Sequence, residues 1–390
     1  MQMPDENGNL TPPAGSRVLV AMSGGVDSAV TAALLVERGY DCIGVTMRLV
    51  PEPQEKSPFE PCCGMEAAED ARRVCERLGI PHEAHYAVDR FDRDIISNFV
   101  EEYQAGRTPN PCVRCNRMIK FGALYQRADE MDRPYIAMGH YARIQPHGGR
   151  IALRRAAYLA KDQSYVLAPL MQAQLRRAWF PLGEMTKAEV RQRAIRLDFR
   201  TANKPESQEI CFVPKNNYRE VVDERGGAPK PGPIVNTRGE ELGRHTGLFH
   251  YTVGQRRGLG IAAAEPLYVI ALDMQRNAVI VGYREETFHH NFSTGAICWG
   301  GMPLTDAPFE ALVQLRSHHS PTPGVVYPER GGARIELKEQ ESAITPGQWA
   351  VLYDADGFVL ASAMVKKVHR NGSAATGNAG LPTGIVGRMV

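Results

Sequence analysis

The stretch Ala21-Met22-Ser23-Gly24-Gly25-Val26-Asp27-Ser28 decides the reading of this chain, because of what lies on either side of it. Before it, Arg17-Val18-Leu19-Val20 is a short apolar run, the pattern of a parallel strand buried on both faces. After it, Val30, Ala33, Leu34 and Glu37 fall at helical spacings between Ala29 and Arg38, and Gly39 follows as a C′ residue. Strand, small-residue turn and helix make the geometry of an anion site. Gly24 and Gly25 let the backbone turn tightly, Ser23 and Ser28 offer hydroxyls, and the first N–H groups of the helix face a phosphate with the positive end of the dipole. No Lys follows the glycines, so this is not a Walker A loop. A bare Gly-Gly pair after a strand is ordinarily only a turn; the two serines, Asp27 and the flanking elements favour the phosphate reading.

Composition narrows the class. A chain of 390 residues exceeds one ordinary core and predicts two or three domains. It is 43% hydrophobic and 23% charged, as soluble globular proteins are. No apolar run approaches the ~20 residues of a membrane span. The polar amino end, Met1 to Gly15 with Pro12 and Pro13, lacks the apolar core of a signal peptide, so no membrane association and a cytoplasmic protein are expected. The net charge of +2 conceals a basic stretch: Arg150 to Arg200 carries eleven Lys or Arg against four Asp or Glu. Such a stretch is either a solvated helical surface or a footprint for a phosphate backbone. Eight cysteines in a cytosolic chain of this size do not make a disulfide framework. Cys42, Cys75 and Cys298 sit in apolar patterns and read as core; Cys62, Cys63, Cys112, Cys115 and Cys211 fall in loops or at element ends.

Strands are predicted at Cys42–Met47, His82–Val88 and Tyr135–Gly139, alternating with helices at Glu66–Leu78, Phe91–Tyr103 and Met118–Ala128. That alternation predicts an α/β, doubly wound parallel sheet, in which ligands bind beyond the carboxyl ends of the strands. Ser23, Met47 and Gly139-His140 all fall at such ends. Val50 to Pro61 reads as a Pro/Glu-rich insertion, Gly106 to Cys115 as a polar loop, Leu170 to Leu197 as helical with a Thr186–Glu189 capping box, and Glu209 to Val213 as a short apolar segment. Composition changes near Gly226 at a Gly/Pro cluster; beyond it come short β-type runs suited to a small barrel. The expected division is a catalytic domain over 16–225, a β-rich central part over 226–290 and a carboxyl-terminal β-barrel over 291–368, with flexible tails at 1–15 and 369–390.

The Ser-Gly-Gly-x-Asp-Ser motif resembles the PP-loop of the ATP pyrophosphatases. With Ala105 to Pro111, Ala137-Met138-Gly139-His140-Tyr141, Lys161 to Tyr165, Glu209-Ile210-Cys211-Phe212, Thr252 to Gly260 and Thr345-Pro346-Gly347-Gln348, the chain resembles the tRNA-specific 2-thiouridylase family over nearly its whole ordered length. The resemblance implies ATP-dependent activation of the C2 oxygen of the wobble uridine (position 34), followed by its replacement with sulfur. It places ATP on Ala21 to Ser28, Met47 and Gly139, with Mg²⁺ beside the departing pyrophosphate. It makes Cys211 the persulfide carrier and Cys115 the second catalytic thiol, which attacks the persulfide or closes a disulfide with Cys211. It sets Asn110, Pro111 and Cys112 at the border of the target-base pocket and His140 near the base. Lys161, Asp162, Gln163, Arg316 and Gln348 would touch tRNA, with Lys, Glu and Gln acceptors expected. A sulfur donor such as a cysteine desulfurase or a sulfur-relay protein is implied as partner.

Two departures matter. Ser317 follows Arg316 where an aromatic is familiar in the family, which removes a stacking ring beside that contact. Relatives commonly carry Asp where this chain has Cys112, so Cys112, Cys115 and Cys211 offer three thiolates, a number suited to a [4Fe–4S] cluster with one open iron. Persulfide relay and cluster-bound sulfide both stand as readings. Cys62 and Cys63 are receivers of sulfur or loop cysteines without a role. The rival enzyme class is an amidotransferase-type synthetase adenylating a small acid, which leaves Cys115, Cys211 and the basic stretch unused. An RNA-binding protein with a purely structural nucleotide leaves the intact loop unused.

Overall fold

The computed structural model describes residues 2–50, 65–204, 210–213, 217–317 and 319–369. Most of the Pro/Glu-rich insertion with Cys62 and Cys63, the run Ser207-Gln208-Glu209 and the tail beyond His369 lie outside the described residues. Five parallel strands organise the amino-terminal half: β1 (Arg17–Ala21), β2 (Asp41–Arg48), β3 (His82–Tyr86), β4 (Tyr135–Ala137) and β5 (Ala178–Trp179). They lie in the order β3-β2-β1-β4-β5. The chain therefore winds outward from β1 to β3, then crosses back and continues on the other side of β1 from β4. The crevice opens where the order reverses, beyond the carboxyl ends of β1 and β4.

The period-two alternation of a strand divides each one between two cores. Leu19 of β1 and Ile136 of β4 face Phe91, Ile95, Phe99, Ile119 and Leu124. Val18, Val20 and Ala137 face the other way, onto Val30, Ala33, Leu35 and Ala194. Helix α1 (Val26–Glu37) buries Ala29, Val30, Ala32 and Ala33 almost completely. Its end is the predicted one: Gly39 at φ +76° donates to Val36 O and Tyr40 donates to Leu35 O, which satisfies two orphan carbonyls.

The expected helix over Leu170–Leu197 is not there. A single turn at Gln172–Leu175 leads into β5, and only Lys187–Arg196 is a full helix. β5 pairs two residues with β4, too few for any periodicity to register. The polar loop also ends earlier than expected, because Asn110 caps a helix beginning at Pro111. That helix continues through wider π-type turns over Asn116–Ala123. The described part of the short apolar segment, Ile210 to Val213, is a turn, with Val213 N donating to Ile210 O at 2.9 Å.

Beyond Gly226 the β reading holds. Strands 241–245, 232–236, 278–282 and 268–273 form a four-stranded sheet in that order. The last part is a closed six-stranded antiparallel barrel over residues 288–369. The barrel is not a separate bead, for its Val351, Tyr353 and Val359 belong to the same apolar core as Phe99 and Leu124. Buried polar groups lock the joint: Tyr165 donates its hydroxyl to Trp349 O at 3.0 Å, and Ser164 Oγ meets Tyr353 Oη at 2.9 Å. Tyr165→Phe keeps the packing but leaves the Trp349 carbonyl without its donor. We expect a loss of about 1–2 kcal/mol, read from urea unfolding followed on the barrel and on the parallel-sheet domain together.

Candidate active site

The loop after β1 has the form an anion needs. Gly24 stands at φ +70°, and a Cβ there would run into the Ala67 backbone, so glycine is required twice over. Ser28 turns back into the loop: its Oγ accepts from Ser23 N at 3.2 Å, donates to Gly25 O at 3.0 Å and lies 3.3 Å from Ser23 Oγ. Ser23 stays exposed while Met22, Gly24, Val26 and Ser28 are buried, so the loop offers its rim and hides its base. Gly139, just past β4, lies against this turn; a Cβ would come 2.9 Å from both the carbonyl carbon of Asp27 and Ser28 N. Met47 is buried near the end of β2, and its side chain belongs to the apolar core.

A lysine that motif reading passed over completes this corner. Lys187 Nζ lies 2.8 and 2.7 Å from the two Asp27 carboxylate oxygens, and Tyr141 Oη donates to Asp27 Oδ1 at 2.7 Å. Lys187 is the first residue of the helix Lys187–Arg196, placed by the Thr186–Glu189 capping box that the sequence did predict. The signal was present, as a capped helix start inside a basic run. What was missing was the fold that brings residue 187 back to residue 27.

His140 follows Gly139 and packs edge-on against Phe180, with ring centroids 5.7 Å apart. Burial, aided by the nearby Lys120 charge, holds its pKa well below the usual imidazole value, so the ring is neutral. Its Nδ1 is buried without a hydrogen-bond partner among the described residues. A neutral ring with an unmet polar atom suits a neutral, hydrogen-bonding ligand such as a base edge. Because the unfolded chain takes up this proton near its ordinary pKa and the folded chain does not, this group's contribution is present above that pKa. It is lost progressively as pH falls below it. The His140 ring resonances should accordingly stay flat in NMR from about pH 8 to about pH 6.

The cysteines separate into two kinds. Burial pushes the Cys42 and Cys75 thiols up to about 12 and also raises Cys298, which marks these three as packing residues. Cys112 is exposed in the first turn of the Pro111–Cys115 helix, and Cys115 is buried at its end. Cys211 is half-buried and packs on the same core that holds Cys115. Its neighbour Phe212 anchors the turn between Phe91 and Phe99, at centroid distances of 5.8 and 5.1 Å. The helix bearing Cys115 reaches the His140 corner through Phe121, which meets Phe180 at 6.0 Å. Among the described residues no three His, Cys, Asp or Glu side chains gather into a metal-holding set. Cys112, Cys115 and Cys211 therefore do not form a cluster cradle in this conformation.

Several residues expected at tRNA have internal work. Asp162 accepts from Ala156 N at 2.9 Å, Ser164 N at 3.1 Å and Ser164 Oγ at 2.7 Å, closing a turn. Gln163 pairs with the Tyr141 main chain in both directions, at 2.8 and 3.0 Å. Lys161 and Arg316 are half-buried, and Arg316 reaches Ser342 O at 3.3 Å. Gln348 faces the Thr108–Asn110 loop. The basic stretch is likewise partly internal. Arg154 and Arg155 lie over Phe358 and Tyr353, at 4.8 and 4.3 Å, and bond Asp356 O and Gln314 Oε1. Gly24→Ala must displace the Ala67 backbone from a strained φ; a loss of about 2 kcal/mol or more in thermal or urea unfolding is expected.

Three family descriptions cover the chain in sequence: a tRNA methyl transferase HUP domain over residues 16–215, a tRNA methyl transferase PRC-barrel domain over 220–283 and an aminomethyltransferase β-barrel domain over 289–365. Among curated proteins, the tRNA-specific 2-thiouridylase MnmA of Halothermothrix orenii is 45% identical over 356 residues, 90% of this chain and 99% of that protein. The protein of the same name from Geobacter metallireducens is 47% identical over 354 residues, covering 89% and 96%. The one from Chloroflexus aurantiacus is 48% identical over 347 residues, covering 87% and 95%. With such identity over almost the full length of each partner, this chain belongs to the tRNA-specific 2-thiouridylase family.

Proposed function

We propose that this protein uses ATP to replace the C2 oxygen of the wobble uridine of tRNA with sulfur. The observation that carries the reading is one corner of the fold. The phosphate-type loop Ser23–Ser28, the neutral His140 and the helix bearing Cys115 meet at the point where the strand order reverses. A carbonyl oxygen on a pyrimidine is a poor leaving group, and the loop supplies what makes it a good one. The uridine O2 attacks the α-phosphorus of ATP, the bond to the bridging oxygen breaks, and pyrophosphate departs against the α1 N-terminus and the serine hydroxyls. Lys187 is paired with Asp27 at this loop, and its charge would offset the growing charge of the leaving group.

Sulfur then displaces AMP. The terminal sulfur of a Cys211 persulfide attacks C2 and AMP leaves; the Cys115 thiolate attacks Cys211 Sγ, and the C2 sulfur is released as the thiocarbonyl. A Cys115–Cys211 disulfide remains, and a thiol reductant returns it to two thiols. The persulfide comes from a donor protein of the desulfurase or relay kind. Because Cys112, Cys115 and Cys211 are not gathered, no step is routed through an iron–sulfur cluster. Magnesium would arrive with the nucleotide, whose phosphates supply most of its ligands, and the described residues build no dedicated site for it. The base must leave the anticodon stack to reach C2 chemistry, and a single-stranded loop makes that inexpensive in free energy.

The division of labour we infer is 16–225 for chemistry, 226–290 as a connecting layer and 291–368 as the barrel that grips tRNA; the barrel's first strand begins at Phe288. The test is transcript tRNA, ATP and a sulfur donor, scored for AMP release and for 2-thiouridine after nuclease digestion. Both products are expected, and Cys211→Ala should abolish thiolation while retaining tRNA binding. Lys187→Met should lower AMP formation by about 100-fold, the scale of one lost charge-stabilising donor. Thiolation undiminished in Cys211→Ala would overturn the sulfur chemistry, and AMP formed only with a small-acid acceptor would favour the synthetase reading.

A further inference from the structure

The loop that leads into the cysteine helix is held from the barrel. Thr108 N donates to Pro346 O at 2.8 Å. Gln348 Nε2 donates to Thr108 O at 2.9 Å and to Pro109 O at 3.3 Å. An amide nitrogen has two hydrogens, so both are taken by the loop. Gln348 Oε1 in turn accepts a long contact of 3.5 Å from Asn110 Nδ2. The other end of the Asn110 amide faces inward: its Oδ1 accepts from Val113 N at 3.2 Å and caps the helix that carries Cys112 and Cys115. That cap fixes which way the Asn110 amide points, and so fixes the donor that Gln348 meets.

On the barrel side the contact is stiff. Gly347 N donates to Val365 O at 2.9 Å, Val365 N donates to Gln348 O at 2.8 Å, and Gln348 N donates to Thr345 O at 3.2 Å. Gly347 stands at φ +95°, and a Cβ there would come 2.8 Å from Thr108 O and 2.9 Å from both the carbonyl carbon and the nitrogen of Thr108. At Gly347 the barrel loop and the loop leading into the cysteine helix therefore touch backbone to backbone, beside the Gln348 side chain that bonds Thr108 and Pro109.

We propose that Gln348 is a positioning residue for the thiols. Acting through Thr108, Pro109 and Asn110, it sets the placement of the helix carrying Cys112 and Cys115, so that the seating of tRNA on the barrel is coupled to thiol chemistry. The inference rests on the reading of Cys115 as a catalytic thiol. It departs from the expectation that Gln348 serves tRNA directly, since its donors and its acceptor are directed at the loop.

The experiment compares the full-length wild type with Gln348→Ala and Asn110→Asp, the latter keeping the cap acceptor and removing the donor. Cys115 alkylation by iodoacetamide, mapped by mass spectrometry on free enzyme, should rise about five-fold in Asn110→Asp, the factor of one lost hydrogen bond, and by at least as much in Gln348→Ala, which also loses the bonds to Thr108 O and Pro109 O. In Gln348→Ala the tRNA Kd should stay within about two-fold, and kcat should fall about ten-fold at unchanged KM for tRNA. In the double variant the alkylation rise should be no larger than in Gln348→Ala alone, because the Asn110 donor has already lost its Gln348 acceptor there. Should Gln348→Ala fold poorly, Gln348→Glu keeps the volume and sets a carboxylate against the two carbonyls, and it must give the same rise. Weakened tRNA binding with unchanged alkylation would make Gln348 an RNA contact and overturn the proposal, as would no change in either. Alkylation needs neither ATP nor RNA. A failure of the proposed function would appear as absent turnover in the wild type, and a failure of this coupling as unchanged alkylation.

Discussion

The approach of Gly139 to the first turn of α1 is the constraint on which the site depends. A hydrogen is all that fits between the end of β4 and the Asp27–Ser28 backbone, because a Cβ would stand 2.9 Å from main-chain atoms of both residues. With that approach made, the next two residues of β4's exit fall into place. His140 enters the crevice beside Phe180, and Tyr141 reaches Asp27 with its hydroxyl. Gln163 then clips the Tyr141 main chain, Asp162 closes the turn before it, and Ser164 and Tyr165 carry the connection into the barrel. One missing methyl group thus permits a chain of contacts running from the anion loop to the far domain.

The joint between barrel and parallel-sheet domain is built twice, once in apolar contact and once in polar contact. Val351, Tyr353 and Val359 complete a core otherwise made by the helices beside the sheet. Around it Arg154 and Arg155 lie over aromatic rings of the barrel and bond its main chain and Gln314. Guanidinium groups suit this because they stack and donate in a plane at the same time. Part of the positive charge in the stretch 150–200 is therefore mortar between domains. The exposed Arg176, Arg196 and Arg200 of the same stretch remain at the surface, where a phosphate backbone can meet them.

Local pattern carried much of the architecture. The buried run Val18–Val20, the helical spacing after it, the Gly39 stop and the Thr186–Glu189 box each encode their own geometry within a few residues, and each is where the sequence places it. Ala178-Trp179 and the short turn at Gln172–Leu175 do not, because two paired residues and one turn of helix are set by their neighbours rather than by their own periodicity. The site divides along the same line. Gly24 and Ser28 act within their own loop, and their reading needed nothing distant. Lys187, 160 residues from Asp27 in sequence, is invisible to any local rule.

The sequence by itself determined the anion loop, the alternating α/β order, the barrel-rich end and the family-order cysteines, since each is written in contiguous residues or in motifs that stand alone. Only the tertiary structure decided that Lys187 and Tyr141 share Asp27, that His140 is held neutral with an unmet nitrogen, and that Gln348 grips the Thr108–Asn110 loop. It also decided that, among the described residues, Cys112, Cys115 and Cys211 are not gathered as ligands. The physical reason is common to all four. Hydrogen bonds and charge pairs have reaches of about 3–4 Å, so which groups meet depends on how remote elements pack and not on any pattern along the chain.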